Sequence, residues 1–187
     1  MRGAGSEVAD GPCVPIAHAA VRYRGRMAIP DFILDLRDKI GHDLLWLPGV
    51  TAVVLRESPR GITEVLLVRR ADDGSWTPVT GIIDPGEEPA VAGAREVLEE
   101  AGVVASPQAL VRVRALPPIT YPNGDHSQYL DLTFRFRHVS GDPHPADGEN
   151  TEAAWFSLEA MPPMSVDMQA RVAAAVDHRE GVDFLAP

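Results

Sequence analysis

From Pro30 onward the apolar residues Phe32, Ile33, Leu36 and Ile40 recur at helical spacing, with Pro30 suited to a first turn and Gly41 near the stop. A short amphipathic helix is expected there. Two β-like runs follow, 50–55 and 65–68, separated by Pro59 and Gly61, and together they predict a hairpin. A loop at 72–75 leads into a short segment from Trp76 to Gly81, and Asp84-Pro85-Gly86 then makes a sharp turn. Residues 89–101 read as a helix with Pro89 in its first turn and Gly102 as its natural end. Two longer β-rich stretches, 110–116 and 129–139, flank the loop YPNGDHSQ. A second loop, SGDPHPADGENTE, precedes a short strand at 153–156, and a last helix is expected at 167–178. Strands and helices interleaved in this way predict a mixed α/β (α+β) domain over 27–187, bounded by an N-terminal and a C-terminal helix. Residues 1–26 lack such periodicity and read as a flexible N-terminal extension, with Met27 a candidate start.

Composition narrows the class. No apolar run approaches the roughly 20 residues that cross a bilayer, and Pro15 and His18 interrupt the one early segment a signal peptide would use. Cys13 is the sole cysteine, so neither an internal disulfide nor a cysteine-based metal module is expected. These features point to a cytoplasmic protein without a membrane partner. A formal charge of -10 argues against nucleic acid as a partner, because binding phosphates along a polymer depends on a positive protein surface. A small phosphate ester remains compatible if divalent cations reverse the local sign.

The candidate chemistry lies in residues 88–103, EPAVAGAREVLEEAGV. Projected at about 100° per residue, Val91, Ala94, Val97, Leu98 and Ala101 fall on one side, while Glu96, Glu99 and Glu100 gather on the other with Arg95 at the border. Carboxylates at i, i+3 and i+4 repel by a few tenths of a kcal/mol per pair, and a hard cation such as Mg²⁺ is a fitting counterion. Taken alone, E-x-x-E-E better suits a solvated helix face, since acidic clusters on surface helices are common. The flanking residues decide otherwise: Gly81, Glu87, Arg95, Glu96, Val97, Glu99, Glu100, Gly102 and Val103 form G-x5-E-x7-R-E-U-x-E-E-x-G-U, with U aliphatic. Chance occurrence in a chain of this length is on the order of 10⁻⁷.

This pattern resembles the box of the Nudix hydrolase family at every defined position. The resemblance implies a Nudix-type α/β/α sandwich with a mixed β-sheet and a catalytic loop-helix-loop. It also implies hydrolysis of a nucleoside diphosphate linked to another moiety, such as ADP-ribose, a dinucleoside polyphosphate or a (d)NTP. Implied ligands for Mg²⁺ (or Mn²⁺) are Glu96, Glu99, Glu100, the backbone carbonyl of Thr80, and Glu149. Arg95, supported by Glu87, joins Glu96, Glu100 and Glu149 as a catalytic candidate, while Gly81, Glu87 and Gly102 are structural. The general base is either Glu96 or Glu149, whose segment ENTEAAWF resembles the family's acidic loop, with Asp147 and Glu152 as substitutes. Arg69, Arg70, Trp76, Tyr121 and Asn123 are candidate substrate contacts, against solvated arginines, packing aromatics and turn chemistry as the plainer roles.

Two features depart from the family pattern. Val79-Thr80-Gly81 stands where many members have Pro-Gly-Gly, and Glu88 occupies the helix-capping place. Pro118 and Tyr121 lie at distances linked to different substrates. A noncatalytic nucleotide sensor and an isopentenyl-diphosphate-isomerase-like enzyme are the alternatives, although the latter needs a cysteine inside the domain. The expected partner is a small nucleotide. Leu44, Leu45, Trp46 and Leu47 offer apolar surface for a homodimer, with core packing an equal explanation.

Overall fold

Residues 29–185 are described by the computed structural model, and the apolar run at 50–55 forms its centre. The extension 1–26, the start at Met27 and Cys13 lie outside them. Strand β1 (Leu45–Glu57) is buried without a break from Gly49 to Leu55, which requires cover on both faces of the sheet. It runs parallel to β7 (His126–Ser140) over the register Leu45↔Ser127 to Leu55↔Arg137. On its other side β1 pairs antiparallel with β4 (Val79–Ile82) and, farther along, with β2 (Thr63–Arg70). The expected hairpin therefore closes only at its tip, from Leu55↔Val65 to Glu57↔Thr63, because β4 occupies the β1 edge from Gly49 to Ala52.

The remaining strands complete a mixed sheet. β3 (Trp76–Thr77) and β8 (Asn150–Ser157) pair with β2, while β5 (Val104–Ala115) and β6 (Ile119–Thr120) pair with β7. β5 begins six residues before the expected 110, since register shifts around Pro107 let the strand accommodate a residue without an N–H. The Trp76 to Gly81 segment divides between two neighbours rather than forming one piece.

Alternation along the strands sorts the core into two layers. Ala52, Val54, Leu66, Val68 and Phe136 meet Val97 and Ala101 of α2 (Pro89–Ala101) on one face. On the other, Val53, Leu55, Val65, Leu67 and Val111 meet Val172 and Ala175 of α3 (Val166–Val176). Burying each such Val or Leu contributes about 1.5–3 kcal/mol. Helix α1 (Asp31–Ile40) packs Ile33 on Leu45 and Leu47, so part of the 44–47 apolar segment is core, while Leu44 and Trp46 remain exposed. Among the described residues no helix is long and apolar enough to cross a membrane.

Candidate active site

Helix α2 has the bounds its sequence predicts, but not the roll. Its buried residues are Ala92, Gly93, Val97, Glu100 and Ala101, whereas Val91 and Leu98 are 50% and 49% exposed. The expected apolar face is thus corrected, and Gly93 supplies a reason. A Cβ there would lie 2.8 Å from the Phe136 ring and 3.2 Å from Val50, so only a glycine lets this side of the helix settle onto the sheet. The same roll carries Glu100 inward, to 6% exposure.

Gly81 in β4 plays the matching role for Glu96. A Cβ at Gly81 would fall 2.1 Å from the Glu96 carboxylate, which lies directly against the strand backbone beside Thr80. Arg95 then organises the cluster: Nε and Nη2 donate to Glu87 Oε1 and Oε2, both at 2.9 Å, and Nη1 donates to Glu96 Oε1 at 2.9 Å and Glu99 Oε2 at 3.0 Å. A further bond from Nη2 reaches the Ile82 carbonyl at 3.2 Å and ties the helix to the end of β4. One guanidinium thereby serves three carboxylates.

Glu96, Glu99 and Glu100, the expected metal ligands, are held by different partners in this structure. Among the described residues no group of three or more His, Cys, Asp or Glu side chains is arranged to hold a metal ion. Arg95 stands between Glu96 and Glu99, and Glu100 instead accepts a hydrogen bond from Asn150 Nδ2 at 2.8 Å through Oε2. Asn150 is a residue the sequence reading missed. One asparagine in a polar loop carries no periodic or motif signal.

Glu149 reaches this region through its chain neighbours. His144 N–H and Ala146 N–H donate to the carbonyls of Ala101 and Glu100, strapping the 141–148 loop to the end of α2. The Glu149 carbonyl accepts from Ala71 N–H, and the Glu149 N–H donates to Asp147 Oδ1, each at 2.9 Å. Its negative charge acts on both Glu96 and Glu100. Burial pushes the Glu96 carboxyl up to about 7 against the opposing pull of Arg95, with Glu99 and Glu149 adding to the rise. Burial likewise lifts Glu100 well above the usual carboxylate range, although Asn150 opposes it. Glu87 moves the other way, held down by its bonds to Arg95.

The candidate substrate contacts do not form one group. Arg70 makes two bonds to Asp72, at 3.0 and 2.6 Å, and its charge is felt at Glu100. Arg69 donates to the Gly74 carbonyl and to Glu152. Trp76 packs edge-on to Phe156, 5.0 Å between centroids, in the layer under α3. Tyr121 shares a 2.9 Å hydroxyl contact with Tyr129, and Asn123 closes a turn onto Asp125. A cavity of about 370 Å³ lined by Arg56, Gln108, Arg135, Arg137 and their neighbours contains no box residue.

Comparison with known proteins places this arrangement. The NUDIX domain model matches residues 46–176. The chain is 36% identical over 103 residues to the NAD-capped RNA hydrolase NudC of Pseudomonas aeruginosa, covering 54% of this chain and 34% of that protein. It therefore spans about a third of the length of that relative. It is also 31% identical over 128 residues to a putative 8-oxo-dGTP diphosphatase of Bacillus subtilis, covering 68% of this chain and 77% of that protein. The crystal structure of an ADP-ribose pyrophosphatase from Streptococcus suis shares the fold, with a TM-score of 0.56 and 21% identity over 73% of this chain and 97% of its own. With the family model spanning the sheet, the box helix and α3 together, the chain belongs to the NUDIX family.

Proposed function

We propose that the chain is a divalent-metal-dependent hydrolase that opens the diphosphate bond of a nucleoside diphosphate linked to another moiety. The observation that carries this reading is the buried Glu100 and partly buried Glu96 beside the charge of Glu149, while Arg95 is shared among Glu87, Glu96 and Glu99. Carboxylates taken out of water need compensation, and these donors are all hard oxygens. They fit Mg²⁺ or Mn²⁺, with Glu96, Glu99, Glu100, Glu149 and the Thr80 carbonyl as the residues that would hold it. When bound, such an ion neutralises the diphosphate and lowers the pKa of a water.

The chain's own residues do the rest. Glu87 fixes Arg95 through two parallel bonds, and Arg95 in turn keeps the Glu96 and Glu99 carboxylates within the span of a single guanidinium. Either Glu96 or Glu149 accepts the proton of the attacking water at a carboxylate oxygen. Arg70, opposite Asn150 in the β2–β8 register, is the candidate substrate contact set beside Glu100. The names of the relatives cover NAD-capped RNA, 8-oxo-dGTP and ADP-ribose, so substrate choice rests on the charge balance. A net -10 favours a small nucleotide over a capped RNA.

The test is a panel of ADP-ribose, dinucleoside polyphosphates, nucleotide sugars, nucleoside triphosphates and NAD-capped RNA, incubated with the purified full chain and Mg²⁺ or Mn²⁺. Hydrolysis of at least one small nucleotide, abolished by EDTA and restored by Mn²⁺, is the expected outcome. Tight binding without turnover across the panel would instead establish a nucleotide sensor.

A further inference from the structure

Strand β8 pairs regularly with β2 from Val65↔Phe156 to Arg69↔Glu152, then skips a residue so that Arg70 faces Asn150. Thr151 is the extra residue of a bulge. Ala153 and Trp155 lie in the layer under α2, and unbroken alternation would direct residue 151 to that layer and residue 150 away from it. The inserted residue reverses this, bringing Asn150 to the α2 side opposite Arg70. There Asn150 is 6% exposed and its Nδ2 donates to Glu100 Oε2 at 2.8 Å. Adjoining bonds fix the bend: Thr151 Oγ1 donates to the Arg69 carbonyl at 3.3 Å, and Ala71 N–H donates to the Glu149 carbonyl at 2.9 Å.

We propose that Asn150 is a positioning residue for Glu100, turned inward by the bulge to hold one carboxylate oxygen and leave the other for a divalent cation. The assignment rests on the reading of Glu100 as a metal ligand. For stability alone, two apolar side chains at these buried positions would serve at least as well as a carboxylate and its donor. The choice of donor is informative too. An arginine at 150 would cancel the charge of Glu100, whereas a carboxamide orients the carboxylate and leaves its charge available to a ligand.

The experiment measures Mn²⁺ binding by the full chain without nucleotide, by calorimetry or the loss of free-ion paramagnetic signal, in the wild type and in Asn150→Leu. Removing the donor should weaken Mn²⁺ binding about tenfold, equivalent to about 1.4 kcal/mol. At saturating Mn²⁺, kcat and the nucleotide KM should stay within about threefold of wild type, a split that a purely structural defect would not produce. Asn150→Gln, which keeps a carboxamide donor on a longer arm, should recover part of the affinity. If Asn150→Leu does not fold, as judged by circular dichroism, Asn150→Ala is measured in its place under the same criteria. Wild-type Mn²⁺ binding with equal affinity in the folded variant overturns the role of Asn150 alone. Absence of Mn²⁺ binding in the wild type overturns the metal-site reading and this assignment with it.

Discussion

Each face of the sheet is covered by a helix that buries a charged side chain, and the two charges are treated oppositely. Under α3, Arg171 is fully enclosed and answered: Nη1 donates to Thr51 Oγ1 at 2.7 Å and to Asp131 Oδ1 at 3.0 Å, while Nε and Nη2 reach Asp167 at 2.9 and 2.6 Å. Asp131 also accepts from Thr51 and Thr133 hydroxyls. Under α2, Glu100 is as deeply placed but has a neutral partner in Asn150, with Glu96, Glu149 and Asp147 adding like charge. A matched buried pair is a fastener. An acidic cluster in which one guanidinium serves three carboxylates and Glu100 has only a neutral partner favours a cation, and perturbed groups of this kind concentrate where ligands bind.

Removing one charge from each face should have opposite effects on stability and activity. Arg171→Met leaves Asp131 buried without its cation, so a stability loss of about 3–5 kcal/mol is expected in urea unfolding. Activity per folded molecule should persist. Glu100→Gln should do the reverse, lowering kcat at least about a hundredfold while the melting temperature holds or rises. A Glu100→Gln protein with near wild-type turnover would remove the functional half of the contrast.

Acid–base behaviour sharpens the same distinction. Burial raises the Glu96 carboxyl from 4.5 to about 7, so the metal-free native state holds a proton that the unfolded chain releases. Stability from this group is therefore greatest below about pH 4.5 and declines as the pH rises toward 7. Glu96→Gln should gain roughly 1–2 kcal/mol over wild type at pH 8 and little at pH 4, and Mn²⁺ should shrink the gain. On the α3 face the sign reverses. Burial opposes ionisation of Asp167, but Arg171 and Arg112 outweigh it and hold its carboxyl below the ordinary 3.8. Its contribution is present above pH 3.8 and lost as the pH falls through the depressed native value. Because Asp167 is 41% exposed, Asp167→Asn should cost less than about 1 kcal/mol at pH 7, and urea titrations should show the difference vanishing in stronger acid.

These two faces were not equally legible in the sequence. The box spacing and the Pro89 and Gly102 boundaries located α2, since both depend on local chain chemistry. Its roll was misread because Val91 and Leu98 look like core residues in projection, whereas backbone approach at Gly93 and Gly81 sets the contact. In β7, polar Asp131, Thr133 and Arg135 alternate with Leu130, Leu132, Phe134 and Phe136, a pattern that suggests one solvated face. Helix α3 covers that face with an arginine of its own, a pairing forty residues apart in sequence that no local window reveals. Asn150 escaped notice for a related reason, since a one-residue bulge is set by strand pairing.

The strap over the end of α2 has a consequence for redesign. In the run Asp142-Pro143-His144-Pro145-Ala146, the prolines have no N–H to offer, and attachment comes from the main chain at His144 and Ala146. A segment tethered by peptide groups can exchange side chains at 143 and 145 while keeping its moorings, whereas Asp147 holds the Glu149 N–H through its carboxylate. Diversity introduced there would vary the rim around Glu149 and leave the acidic floor untouched.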